Sequence, residues 1–201
     1  MTWKPDYITV ATLKNYIKVT NDDDDVFMAL WVTAVSRNVD DYCGRQFGSV
    51  TPVEERTYTP EYDRRTGKWV VEIDDLQNTT GVAFTNSDDV AITDYTFEPV
   101  NALVKGMVYE RIIVNSGIGS CNSLTGAAND ITGSALWGWT AVPSSVSVGA
   151  LLQGNRLKAR RNSPFGIAGS PTEGSEIRLL AQLDPDFKTA LKPYRRNWWA
   201  R

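Results

Sequence analysis

The chain has 201 residues, 42% of them apolar, a mean hydropathy of −0.30 and a formal net charge of −3. That length can bury a sizeable core, as one domain or as one with a large insertion, and no apolar run approaches the roughly 20 residues needed to span a bilayer. There is no histidine, which excludes Ser-His-Asp and Cys-His nucleophilic catalysis and nearly all zinc and haem sites, and removes the side chain best suited to proton transfer near neutral pH.

The opening Met1-Thr2-Trp3-Lys4-Pro5-Asp6 has no apolar core of the kind a signal peptide carries, so export by that route is not expected. A short helix follows, capped by Thr9 or Thr12 and carrying Leu13, Tyr16 and Ile17 on one face. Asn21–Asp25 offers capping oxygens and negative charge to a longer helix, in which Phe27, Leu30, Trp31, Ala34, Val35, Val39 and Tyr42 recur as a wide apolar stripe. From Asp22 to Cys43 this element spans roughly 33 Å, and Gly44 or Gly48 ends it.

Residues 51–140 change character. Val53–Tyr58, Lys68–Ile73, Gly81–Phe84, Tyr95–Val100 and Glu110–Val114 are short β-branched and aromatic runs separated by glycine and asparagine turn signals, the pattern of a small antiparallel sheet, sandwich or partial barrel. Asn115–Asp130 reads as an exposed loop, and Ile131–Thr140 as a last strand ending in Trp137-Gly138-Trp139. Pro143 suits the first turn of a helix running to Arg161. Its Val146, Ala150, Gln153 and Leu157 share a face, and its Gly149 and Gly154 suggest close approach of another backbone. Ser163–Pro171 breaks the helical pattern and reads as a connector with Phe165 and Ile167 tucked inward. Glu173–Leu183 resumes the pattern. Asp184-Pro185 restarts a helix with a cap and a first-turn proline, and Lys192-Pro193 stops it. The class is therefore α+β: a helical bundle built from both ends of the chain, 1–50 and 141–201, with an antiparallel β-rich subdomain, 51–140, inserted between them.

Little of this points to chemistry. Cys43 and Cys121 form no CxxC pattern and read as a buried small residue and a loop residue. The tandem acids Asp40-Asp41, Glu54-Glu55, Asp74-Asp75 and Asp88-Asp89 are poorly placed to act as catalytic pairs, since neighbours on a strand face opposite ways. Asp22–Asp25 lacks the alternating ligands and glycine of a calcium loop. Gly117-Ile118-Gly119 and Gly166-Ile167-Ala168-Gly169 lack the rest of a nucleotide-binding fingerprint. No cofactor or metal is expected. Charge is polarised: residues 1–140 hold 11 Lys+Arg against 20 Asp+Glu, residues 141–201 hold 10 against 4. Such a chain suits docking between oppositely charged surfaces. The tail Lys192-Pro193-Tyr194-Arg195-Arg196-Asn197-Trp198-Trp199 concentrates the residue types that dominate interface hot spots.

Several of these segments, in order, carry a family resemblance. They are Leu13-Lys14-Asn15-Tyr16-Ile17, the acidic Asp22–Asp25, Asp40-Asp41-Tyr42-Cys43-Gly44-Arg45-Gln46-Phe47, Trp137–Pro143, Arg160-Arg161, Asn162–Ser170, Leu183–Phe187 and the basic-aromatic tail. The succession resembles the head–tail connector (adaptor, or head-completion) proteins of tailed bacteriophages, especially those of phages infecting actinobacteria, over somewhat more than half of the chain. The resemblance implies a helical core that in some members carries a β insertion, and a structural protein with no catalysis. It implies a homo-oligomeric ring, commonly twelvefold, beneath the portal protein in the virion neck, assembled in the host cytoplasm. The ring would extend the channel for genomic DNA, without sequence-specific binding, and offer a platform to a head-closure (stopper) or tail component; no membrane is involved. On this reading Trp31, Arg156, Arg160, Arg161 and Phe165 belong to the ring interface, and Tyr194, Arg195, Arg196, Trp198 and Trp199 dock the portal. Two other readings stand beside it: a β-rich carbohydrate- or protein-binding module, and a DNA-binding packaging subunit, against which the sequence pI of about 5.1 argues.

Overall fold

The computed structural model describes residues 4–115, 124–161 and 183–196, together with the strands Ile167–Ala168 and Ile177–Arg178. The class is α+β: among the described residues there are four α-helices, two antiparallel sheets and a two-stranded ribbon. The chain divides into two compact units, Pro5–Phe47 with Val142–Arg201, and Met1–Lys4 with Gly48–Ala141.

In the first unit, α1 (Val10–Ile17) starts at Thr9, whose hydroxyl accepts the Thr12 amide at 3.1 Å. Only Leu13 of this helix is buried, and Tyr16 is exposed. Helix α2 (Asp25–Cys43) ends where Gly44 turns into the left-handed region at φ 63, a conformation glycine adopts without a Cβ penalty. Two expectations fail here. The N-cap Asp24 makes no side-chain cap bond; instead Asp22 and Asp25 both hold the Lys14 ammonium, at 2.5 and 2.8 Å. The buried face is Met28, Val32, Val35, Ser36, Val39 and Cys43, whereas Phe27, Leu30 and Ala34 face outward. Val26 to Val32 are apolar without a break, so the pattern alone does not say which side turns in.

Helix α3 (Ser144–Arg161) begins just after Pro143, whose carbonyl accepts the Val146 amide at 2.9 Å. It buries Val146, Gly149, Ala150, Gln153 and Gly154. The two glycines make room for side chains rather than for a backbone: a Cβ on Gly149 would meet Leu191 at 3.3 Å, and one on Gly154 would meet Leu13 at 2.9 Å. Helix α4 (Pro185–Leu191) has Pro185 in its first turn, and the Asp184 carboxylate accepts the Asp186 and Phe187 amides at 2.8 and 3.3 Å. The helical pattern expected over Glu173–Leu183 is overturned at Ile177–Arg178, which pairs antiparallel with Ile167–Ala168. The rest of that stretch lies outside the described residues.

The second unit holds β1 (Glu54–Tyr58), β2 (Glu61–Asp63), β3 (Lys68–Leu76), β4 (Asn78–Asn86), β5 (Tyr95–Glu98), β6 (Tyr109–Val114) and β7 (Ile131–Leu136). They form two antiparallel sheets, ordered β1-β7-β4 and β2-β3-β6-β5. Burial alternates along β3 and β7, as it must when one face of a pleated strand lines a core. Both sheets feed one cluster, in which Trp69, Val71, Ile73, Ile112 and Val114 meet Phe84, Ile131, Ala135 and Trp137. Each Val, Ile or Phe side chain among them stabilises the fold by roughly 1.5–3 kcal/mol relative to exposure. At the end of the expected Asn115–Asp130 loop, Asp130 is buried and accepts the Thr125 amide and hydroxyl at 2.7 and 3.0 Å and the Ser87 hydroxyl at 2.7 Å. Cys121 lies outside the described residues.

Candidate functional site

Two clusters in the helical unit bring together residues singled out by the sequence. The first joins the end of α3 to the start of α2. The Arg161 guanidinium lies 4.8 Å above the Phe27 ring and 5.8 Å from that of Trp31, and binds Asp24 at 2.7 Å. The local cause is electrostatic as well as geometric: cations suit the C-terminal end of α3 and carboxylates the N-terminal end of α2, while the aromatic faces attract the guanidinium. Helices α2 and α3 therefore run antiparallel. Arg160, one residue earlier, is exposed.

Arg156 does something different. It is half-buried and reaches Asp184 at 3.4 Å, while the Gln153 side chain accepts the Asp184 amide at 3.1 Å. Together Gln153 and Arg156 fix the cap residue of α4, so Arg156 acts inside the chain. Phe165 lies outside the described residues.

The second cluster seats the start of the tail on the end of α2. Tyr194 packs edge-on against Phe47, at 5.8 Å between ring centres, and Phe47 packs likewise on Tyr7 at 5.6 Å. Arg195 is exposed and stands 5.2 Å over the Tyr42 ring; Tyr42 in turn touches Phe187. The Arg196 amide donates to the Cys43 carbonyl at 2.7 Å, satisfying one of the carbonyls a helix end leaves unpaired. Arg196 is only 9% exposed, so most of its side chain is covered within the chain. Of the five tail residues, Arg195 is the exposed one among the described, and Trp198 and Trp199 lie outside them.

Tyr7 is the residue that sequence reasoning missed. Its amide donates to Ser36 Oγ at 3.0 Å, its carbonyl accepts the Ser147 hydroxyl at 3.0 Å, its hydroxyl accepts the Phe47 amide at 2.9 Å and donates to Asp40. Burial, with the Asp40 carboxylate beside it, pushes the phenol well above its ordinary value, so it stays protonated and donates. Nothing in the local pattern marks Tyr7, because its partners are 29 to 140 residues away.

Two of the tandem acids, Asp74 and Asp75, are engaged in contacts within the β unit. Asp74 is held with Glu54 by Arg56, at 2.8 and 3.0 Å, and by the Tyr58 hydroxyl at 3.2 Å. A guanidinium between two carboxylates neutralises both rather than splitting them into acid and base. Asp75 points the other way and accepts the Trp139 indole N–H at 2.8 Å. Among the described residues no group of three or more Cys, Asp or Glu could hold a metal ion, and no helix is long and apolar enough to cross a membrane. Neither a protein-family model nor a curated protein matches the chain.

Proposed function

We propose that the chain is a structural head–tail connector of a tailed bacteriophage, without enzymatic activity. In this reading the helices form a connector body made from both ends of the chain, and residues 51–140 are a β-rich insertion. Copies assemble as a ring, of about twelve subunits in the family it resembles, beneath the portal. The ring extends the DNA channel and carries the head-closure or tail component. The observation that carries the reading is the ordered series of segments from Leu13 to Trp199 that resembles these connectors. The Arg161–Asp24–Phe27–Trp31 cluster supports it, since it leaves an arginine and two aromatic rings at one edge of the helical unit, the composition of an interface hot spot. Trp31, Arg160 and Arg161 then contribute to the ring contact, with Phe165; Arg156 supports it indirectly through Asp184. Tyr194 and Arg195 lead into the portal-docking tail, whose anchors are Trp198 and Trp199.

Deleting Asn197–Arg201 is the direct test of that tail. The truncated chain should keep its circular dichroism and melting temperature yet lose co-sedimentation with the portal encoded nearest to it. Undiminished portal binding by the truncated chain removes the tail from the docking role.

A further inference from the structure

We infer that the outward face of α2, the line Val26–Leu30–Ala34, docks against the outward face of α3 in a second copy of this chain, the line Val148–Leu152–Ala159. The inference rests on the assembly reading above and names the surfaces it uses. The seven residues Val26–Val32 are apolar on every side of the helix, a composition proper to a helix covered all round. Yet among the described residues only one side is covered: Met28 and Val32 are buried, while Val26 is 75% exposed, Leu30 63% and Phe27 49%. Exposed single hydrophobics are ordinary; three neighbours on the first two turns of one helix mark an interaction surface.

The occupant follows from what else the unit exposes. On α3, Val148 is 51% exposed and Ala159 is exposed, with Leu152 half-buried between them. Residues 148, 152 and 159 share one face at helical spacing, as 26, 30 and 34 do. The flanks are complementary. Asp23 and Asp41 are exposed beside the α2 line and have no ion-pair partner among the described residues; exposed Arg160 and half-buried Lys158 flank the α3 line, also without an ion-pair partner among the described residues. One copy thus offers an acid-edged apolar line and a base-edged apolar line on two different helices. A contact between unlike faces is heterologous, and such contacts close into rings when their rotation permits. Opposite charge at the rim selects this pairing over α2 against α2, which would bring carboxylates together.

The test uses two variants, Leu30→Glu and Val148→Glu, both at exposed positions, with circular dichroism and melting curves to verify the fold. Particle mass is measured for each variant, for their mixture and for the unaltered chain, with and without the portal. The unaltered chain should assemble, each variant alone should self-associate about 100-fold more weakly or worse, and the mixture should stop at a one-to-one dimer. The dimer is expected because each variant keeps the face the other has lost. Val148→Glu protein that still self-associates, or variants that both assemble like the unaltered chain, overturn these faces while leaving the connector reading intact. An unaltered chain that stays monomeric even on the portal overturns both.

Discussion

Gly154 of α3 lies directly against Leu13 of α1: a Cβ added to the glycine would fall 2.9 Å from Leu13 Cδ1. Leu13 is fully buried, so it cannot swing away. Gly154→Ala gains up to about 1 kcal/mol of helix propensity but overpacks a closed site, which costs about 1–3 kcal/mol. A net loss of about 1 kcal/mol is expected in urea unfolding. Gly149→Ala, whose added Cβ would meet Leu191 at 3.3 Å, should be close to neutral, and Leu13→Val should relieve part of the Gly154→Ala loss.

Gly138 admits no substitution. Its φ is +108, and a Cβ there would sit 2.0 Å from the Gly48 carbonyl oxygen. Its neighbours depend on that approach: the Trp139 amide donates to Gly48 at 2.8 Å, and the Gly138 amide to the Asp75 carbonyl at 2.6 Å. Gly138→Ala should cost about 3 kcal/mol or more, combining backbone strain with lost hydrogen bonds. Insoluble expression or a collapsed melting temperature is the expected outcome; a normal melt contradicts the account of this turn.

The buried pair Asp75–Trp139 gives a spectroscopic handle. Trp139 is 1% exposed and its indole N–H donates to Asp75 at 2.8 Å. Asp75→Ala takes the carboxylate acceptor away from that buried donor, at a cost of about 1–3 kcal/mol. The same substitution should cost less in a Trp139→Phe background, and that difference, read by a double-mutant cycle, measures the pair. Equal costs in both backgrounds contradict the coupling.

Acid should weaken the β unit through Asp130. Burial pushes its carboxyl up, but hydrogen bonds from Thr125 and Ser87 outweigh that and hold it below the ordinary value. A carboxyl lowered in the folded state contributes stability above its unfolded value, and that contribution disappears as pH falls through the folded value. Asp130→Asn should therefore be less stable than the unaltered chain at about pH 6 and lose less on acidification toward about pH 2. Unfolding curves across that range provide the measurement, and parallel pH profiles contradict it.

What could be read from the sequence was what short-range chemistry encodes. Thr9 and Asp184-Pro185 announce their helices because capping is settled within three residues, and the β-branched runs announce β1, β3, β4, β5 and β6. The pairing of β7 between β1 and β4 is set by partners some 50 to 80 residues distant, which no local pattern records. The inward side of α2 was misread for a related reason. An unbroken apolar run has no period, so its packing partners decide which residues turn in. Asp22 and Asp25 look like caps until Lys14, on another helix, is brought beside them. In the candidate site, Arg161 could be named from its position at a helix end, whereas its contact with Phe27 and Asp24 needed the antiparallel packing of α2 and α3.

The central claim, assembly beneath a portal, is tested most directly by electron microscopy and particle mass of the purified chain mixed with the portal encoded nearest to it. The account predicts a closed ring stacked coaxially on the portal, with the subunit number read from the mass. A chain that remains monomeric and unbound with the portal present contradicts it.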